Sequence, residues 1–477
     1  MNLPRYAVTA LIVACALFME TLDATVIATS LPAIAVDLHE DPISLKLALT
    51  SYLVSLAIFI PVSGWVADRF GARLIFRIAI SIFTLASIGC GLAGDLPQLV
   101  AGRLAQGLGG AMMVPVGRLL LMRSVERGDL VRALSYLTVP ALFGPVAGPL
   151  LGGFVTTYFH WRWIFWINAP IGVIGIILAT LFIEDVREDN PGPLDVVGFI
   201  LSGLGLASLL FGLAVAGGGL APLSATIALV AFGALALAAY VLHARRIAFP
   251  LLDLRLLSLH TFRAGVAGGA LFRIGIGSIP LLLPLMLQMG FGRNSFQSGS
   301  ITFVASAGAL MMKTTAAPIL RRLGFRKVLA GAATISGALL ATYGFFTPTT
   351  PPLIMMGILL VSGFVNSLAF TGLNAIAYAE IENADMSRAV SFASVAQQLS
   401  LSLGIAAGAA ALQGWARLDP GAGVFAQTSF RFAFILMGLL CISSAALFLR
   451  LPADAGAELT VRPAKRADAG PAPSPRA

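Results

Sequence analysis

Charge is what this sequence lacks most. Asp, Glu, Lys and Arg together make 11% of its 477 residues, where a soluble domain carries about a quarter. A water-soluble chain of this length needs a charged coat, and the residues for one are missing. Apolar side chains make 58% and the mean hydropathy is +0.91, so the chain is read as a membrane protein. Cysteine is scarce too. Cys15, Cys90 and Cys441 lie in apolar runs without paired spacing, and the four histidines are scattered at loop edges. That pattern predicts neither a disulfide nor a metal site. No Gly-Lys dipeptide occurs, which excludes a P-loop and with it a nucleotide-driven pump. No HExxH or GxSxG constellation is present, so an enzyme is not expected. The net charge of +9 is assigned to cytoplasmic loops rather than to a nucleic-acid-binding face.

What is abundant is long apolar runs. A helix needs about 20 mostly apolar residues to cross a bilayer, and about fourteen such segments are expected. They run roughly over 7–30, 47–67, 75–94, 98–120, 133–157, 163–183, 196–215, 222–242, 262–284, 297–318, 327–347, 352–376, 389–413 and 429–450. The first carries Glu20 and Asp23 and is too long for the core of a signal peptide, so it is expected to be retained. With the N-terminus in the cytoplasm, 23 of the 31 basic residues fall on the cytoplasmic side, five on the other, and Arg103, Arg273 and Lys313 within spans. This asymmetry predicts cytoplasmic N- and C-termini. The Ala/Pro-rich tail, 452–477, reads as a disordered cytoplasmic segment.

A repeat emerges when loops are compared. Gly64-Trp-Val-Ala-Asp68-Arg69-Phe-Gly71-Ala-Arg73 follows the second span, and Ala317-Pro-Ile-Leu-Arg-Arg322-Leu-Gly324-Phe-Arg326 follows the tenth, with glycine and basic positions at one constant offset. Two related six-span bundles, 1–190 and 261–451, with two inserted spans in 191–260, would give that spacing. The expected fold class is thus all-α and polytopic. Repeat-built transporters place their substrate site near the midplane between the halves.

These residues resemble the major facilitator superfamily. The first loop resembles its motif A. Leu22-Asp23-Ala24-Thr25-Val26-Ile27-Ala28-Thr29-Ser30-Leu31-Pro32 looks like the first-span motif of the fourteen-span drug:proton antiporters. Arg103-Leu-Ala-Gln106-Gly-Leu-Gly-Gly110 looks like motif B. Gly144-Pro145-Val-Ala-Gly148-Pro149-Leu-Leu-Gly152-Gly153 looks like the antiporter motif C, and Trp161-Arg162-Trp163-Ile-Phe-Trp166-Ile-Asn168-Ala-Pro170 is similar to a further hallmark of that group. Gly110 to Leu119 and Gln398 to Gly404 are most similar to the MdtD-type multidrug resistance proteins. The chain departs from the pattern at Ala28, where the family has Asn, at Gln397, where Arg is frequent, and in carrying Glu20 as an extra acid.

Ionisable groups inside a membrane are costly and default to functional candidates. Glu20 and Asp23 share a helix face, and at least one is expected to carry a proton. Arg103 needs a carboxylate or backbone carbonyl partner, with either acid able to serve, or else it snorkels to the outer interface; resemblance to motif B implies a part in proton handling. Gly64, Asp68, Arg69, Gly71 and Arg73 form the expected gating loop, in which Asp68 pairs with Arg69, Arg73 or Arg132 or faces a helix N-terminus, and the glycines permit close approach and a tight turn. Gly144, Gly148 and Gly152 recur every four residues as a packing stripe, with Gly153 beside it and Pro145 and Pro149 bending the span. Arg273, Asn366, Asn374, Gln397 and Gln398 are the cavity candidates in the second half.

The resemblance implies a proton-coupled exporter of small amphipathic or cationic compounds, working by alternating access in the bacterial inner membrane. Protons are the coupling ion, no other cofactor is implied, and the partners are a small-molecule substrate and lipid, with the protein monomeric. A narrow-specificity exporter of a metabolite, peptide or siderophore fits the same motifs. A non-transporting membrane receptor or scaffold is a third reading, less compatible with gating motifs in both halves.

Overall fold

The computed structural model describes residues 5–124, 130–184, 193–215, 222–247, 249–382, 385–419, 421, 423–452 and 454–456. Among these residues the regular structure is helical. The long helices are α1 (Arg5–Val26), α2 (Lys46–Phe70), α3 (Ala72–Leu92), α4 (Leu96–Ser124), α5 (Leu130–Tyr158), α6 (Trp163–Phe182), α7 (Val196–Val215) and α8 (Leu223–Ala244). They continue with α9 (His260–Gly290), α10 (Ser295–Leu323), α11 (Phe325–Tyr343), α12 (Pro352–Ile376), α13 (Met386–Leu418) and α14 (Gln427–Phe448). Eleven of the described helices are long and apolar enough to cross a membrane; α5, α10 and α11 make the difference from the expected fourteen. Of these, α11 opens on Phe325-Arg326-Lys327, while α5 and α10 contain side chains that fall outside the described residues. Asn190 to Gly192 of the break expected at Asn190-Pro191-Gly192-Pro193 and most of the tail fall outside the described residues, as does the side chain of Arg132.

Helix boundaries follow local chemistry. Gly71 (φ 97°) ends α2 and Gly324 (φ 75°) ends α10. A side chain with a Cβ is strained at positive φ, so the repeat seen in the two loops is one backbone turn used twice. Asn294 and Gln297 form a reciprocal capping box at the start of α10. Pro284 and two wide π turns, Ala264–Gly268 and Met286–Gly290, interrupt α9, the kind of defect that accompanies sharp helix bends.

Packing repeats as well. In the first half α1 lies on α5, α2 on α4 and α3 on α6; in the second, α9 lies on α13, α10 on α12 and α11 on α14. Each pairing recurs eight helices later. Contacts between the two sets run through α5 with α10 and α2 with α13, while α7 and α8 pair with each other and α7 leans on α2. Large side chains left exposed on the outside, such as Leu85, Leu181, Leu235 and Leu353, form the apolar coat a bilayer covers.

One end of the molecule is sealed where α5 finishes and α10 begins. Phe296 N–H donates to Thr157 Oγ1 (2.9 Å), Gln288 Nε2 to Thr29 O (2.9 Å), and Ser30 and Thr156 share a hydroxyl bond (2.7 Å). At the same end the short helix Leu31–Asp37 is tied down: Asp37 Oδ2 accepts from Arg162 Nη1 (2.5 Å) and Trp161 Nε1 (3.1 Å), and Arg162 Nη2 reaches Ala93 O (3.0 Å). Partial burial pushes the Asp37 carboxyl up, but its bonds to Arg162 and Trp161 outweigh that and hold it below its usual value. A carboxylate with a depressed folded pKa stabilises above its unfolded value, about 3.9, and the contribution is lost as pH falls through the folded pKa. The Trp161 component of fluorescence, isolated by difference against Trp161→Phe, is therefore expected to hold steady from pH 7 to about 5 and to shift only below about pH 4. A shift centred well above about pH 5 would mean that the Asp37 carboxylate does not control the change.

Candidate functional site

The buried centre of the first half is polar. Helix α1 presents Asp23 and α4 presents Arg103, each 1% exposed, and Arg103 Nη1 meets Asp23 Oδ2 at 2.5 Å. Of the two acids open to it in the sequence, Arg103 takes Asp23. It does not reach for the membrane surface. Asp23 Oδ1 accepts from Gln106 Nε2 (2.7 Å) and Asn168 Nδ2 (3.0 Å). Arg103 also donates to Gln106 Oε1 (2.6 Å) and, through Nε, to Ala48 O (3.1 Å). Asn168 bonds Ser87 Oγ (3.0 Å), which donates to Phe165 O (2.8 Å). Five helices thus converge on one ion pair. Burying two charges is favourable only when geometry is good and the remaining donors and acceptors are filled, and here they nearly all are.

Tyr52 of α2 links this pair to the second acid. The Arg103 guanidinium lies over the Tyr52 ring, 4.3 Å from its centroid, and Tyr52 O–H donates to Glu20 Oε1 (3.4 Å). Glu20 Oε2 is buried without a hydrogen-bond partner. Gly110 of motif B makes room: a Cβ there would fall 3.0 Å from the Tyr52 hydroxyl. Two acids three residues apart thus occupy different settings, one locked in an ion pair and one half satisfied.

Motif C is a packing surface, and its counterpart is a stripe of threonines. A Cβ at Gly144, Gly148 or Gly152 would collide with Thr21, Thr25 or Val26 and Thr29 of α1 respectively. The threonines return their hydroxyls to their own helix, Thr21 to Leu17 O (2.8 Å) and Thr25 to Thr21 O (2.9 Å). Gly153 faces the other way, onto Ser295 and Phe296 of α10. Pro145 and Pro149 lie within α5.

In motif A, Gly71 makes the turn, Arg69 is exposed in the last turn of α2, Asp68 is engaged and half-buried, and Arg73 Nη1 donates to Ile183 O (3.2 Å). Gly64 corrects the sequence expectation: among the described residues no atom lies within 4 Å of the position its Cβ would occupy, so in this conformation it serves no close approach there.

In the second half Arg273 is buried and its Nη2 donates weakly to Asn374 Oδ1 (3.4 Å). Asn366 turns to Ser362 on its own helix (3.4 Å), and Gln397 and Gln398 are half-buried on α13; none of the three is hydrogen-bonded to Arg273. Lys313 Nζ donates to Thr371 Oγ1 (3.2 Å). Arg118, exposed on α4, acts electrostatically on both Glu20 and Tyr378, so it stands in the gap between the two halves. Burial pushes the Tyr378 phenol up, which keeps it a donor at neutral pH.

The model of the Major Facilitator Superfamily matches residues 13–405 and, in a second alignment, 265–475. The chain belongs to this superfamily. It is 38% identical over 461 residues to the multidrug resistance protein MdtD of Escherichia coli K12, covering 95% of this chain and 97% of that one. With MdtD of Yersinia enterocolitica it shares 36% over 447 residues, 93% and 95% of the two chains. Its fold is similar to that of the POT family transporter PepTSo (TM-score 0.69, 15% identity, 94% and 97% coverage) and of a D-xylose-proton symporter (0.68, 15%, 94% and 99%). The chain is a multi-pass membrane transporter of the major facilitator type and not an enzyme.

Proposed function

We propose that this transporter is a proton-coupled exporter of small amphipathic compounds, cationic ones among them, working by alternating access. In this reading all fourteen long helices span the bacterial inner membrane, with both termini cytoplasmic and the sealed end outward. Residues 1–190 and 261–451 are the rocking bundles, 191–260 the inserted pair, and the protein acts as a monomer. Protons are the coupling ion and no other cofactor takes part.

The observation that carries the reading is the enclosed Asp23–Arg103 pair joined through Tyr52 to Glu20. A proton arriving at either acid removes the negative charge that Arg103 or Tyr52 faces. The guanidinium must then find other partners, and α1 and α4 are the helices that would move. Helix α1 also carries the threonine face on which motif C packs, so a change at Asp23 is transmitted directly to α5 and from there to α10. Its similarity to the multidrug resistance proteins MdtD supports a drug-like cargo.

The test is substrate-induced proton movement in inside-out vesicles holding a preset pH gradient, with wild type beside Asp23→Asn. Cationic dyes and drugs are expected to dissipate the gradient in wild type and to lose at least tenfold of that effect in the variant. Equal dissipation by both proteins would remove Asp23 from the coupling path. Silence of folded wild type across the panel would favour the narrow-specificity exporter.

A further inference from the structure

The second half holds a buried cation whose counter-ion is missing. Arg273 is 4% exposed, and among the described residues no carboxylate pairs with it; the one ionisable group acting on it is the Tyr378 phenol. Its Nη1 points back to Gly265 O (3.5 Å) and its Nη2 to Asn374 Oδ1 (3.4 Å), both long, and Nε has no acceptor at all. An arginine inside a membrane protein without an anion is expensive. The site is nevertheless built for it. Gly265 lies in the π turn Ala264–Gly268, and such turns occur disproportionately at functional sites. A Cβ at Gly269 would fall 2.6 Å from Nη1, so glycine there leaves the guanidinium room in the position it takes. Phe370 lies beside its face, 5.9 Å from the ring centroid.

The free edge is informative. Nε–H and an Nη2–H lie side by side and grip the two oxygens of a carboxylate with parallel bonds; on this edge of Arg273 the Nε–H is unfilled and Nη2 holds only the long bond to Asn374. Asn374 next to it is exposed and carries an amide NH2 group to donate, and Tyr378 adds a hydroxyl nearby. Arg118 faces the same gap from the other half. We propose that Arg273, with Asn374 and Tyr378, is the subsite that takes a carboxylate of the transported molecule. The cargo then includes amphipathic acids and zwitterions, held with the carboxylate on the second-half wall and any amine toward Glu20 on the first. This rests on the exporter reading only in calling the bound molecule cargo.

The test is binding to the purified full-length protein in detergent, using 1-naphthylacetate and its neutral counterpart 1-naphthylacetamide, with acetate and benzoate against their amides. Wild type is expected to bind the best acid at least about tenfold more tightly than its amide, and Arg273→Gln to bring that ratio to about one, with Arg273→Lys between. Asn374→Asp is the sharper probe. It supplies the missing counter-ion from within, so it is expected to raise the melting temperature while abolishing the preference for the acid. Acid and amide binding alike in wild type, or an acid preference that survives in Asn374→Asp, overturns the proposal. Inorganic phosphate displacing the acid at equal concentration overturns the assignment to carboxylates. The measurement needs no proton gradient: a carboxylate preference without proton-coupled flux in vesicles would sink the exporter reading and leave the site standing.

Discussion

Replacing Arg103 with glutamine is expected to destabilise the protein by about 3–5 kcal/mol, the cost of leaving a buried charge without its partner. Asp23 is enclosed, and two of its three bonds come from neutral amides, Gln106 and Asn168, which cannot replace a full positive charge. Asp23→Asn should cost a similar amount from the other side, since Arg103 would keep only Ala48 O, Gln106 Oε1 and the face of Tyr52. The double variant Asp23→Asn/Arg103→Gln removes both charges at once and is expected to recover to within about 1–2 kcal/mol of wild type, because neutral partners of similar shape often replace a buried pair at little loss. Thermal melts in detergent followed by tryptophan fluorescence would measure all three. Additive single losses in the double variant would mean that the two side chains are solvated independently. Proton-driven transport is expected to be lost in every one of them, so recovered stability without recovered transport would separate the pair's role in coupling from its role in packing.

The sequence carries some of this plainly and the rest not at all, for reasons of chemistry. A charge inside an apolar run stands out because it is so costly there, so Asp23, Glu20, Arg103 and Arg273 are visible as letters. Uncharged polar residues are not, since each is more often a helix–helix bond than a site. Gln106 and Asn168 sit in segments whose resemblance is evident, yet their convergence on Asp23 requires α4 and α6 to be brought against α1. Tyr52 carries no signal in its own segment; it matters because two residues from other helices meet on it. The turn at Gly71 and Gly324 is readable, as glycine and flanking arginines recur together, whereas the openness around Gly64 shows only in the folded chain. The π turn that gives Arg273 its setting leaves no mark in the sequence beyond a run of small residues.

Substituting valine for Gly299 is expected to unseal the closed end and to cut flux by about ten- to a hundredfold. A Cβ at Gly299 would overlap the carbonyl of Pro149, and across the same seam Gly153 abuts the Ser295 carbonyl and the Phe296 Cα. Both obstacles are backbone, which cannot rotate aside, so added volume must push α5 and α10 apart. Overpacking costs typically 1–3 kcal/mol, and each ~1.4 kcal/mol is a factor of ten in population. Because the two helices belong to different halves, that cost falls on the state in which they touch and not on the state in which they have parted. The variant should therefore fold, yet accumulate open at this end. Spin labels introduced by Thr157→Cys and Phe296→Cys, in a background cleared of the three free cysteines, would report it as a longer distance distribution. Gly357→Val is the matched control, since no atom lies within 4 Å of the position its Cβ would take. Gly299→Ala should fall between the two. If Gly299→Val keeps the distances and the flux of wild type, the α5–α10 seam is not what closes this end, and motif C would then act only through its threonine face on α1.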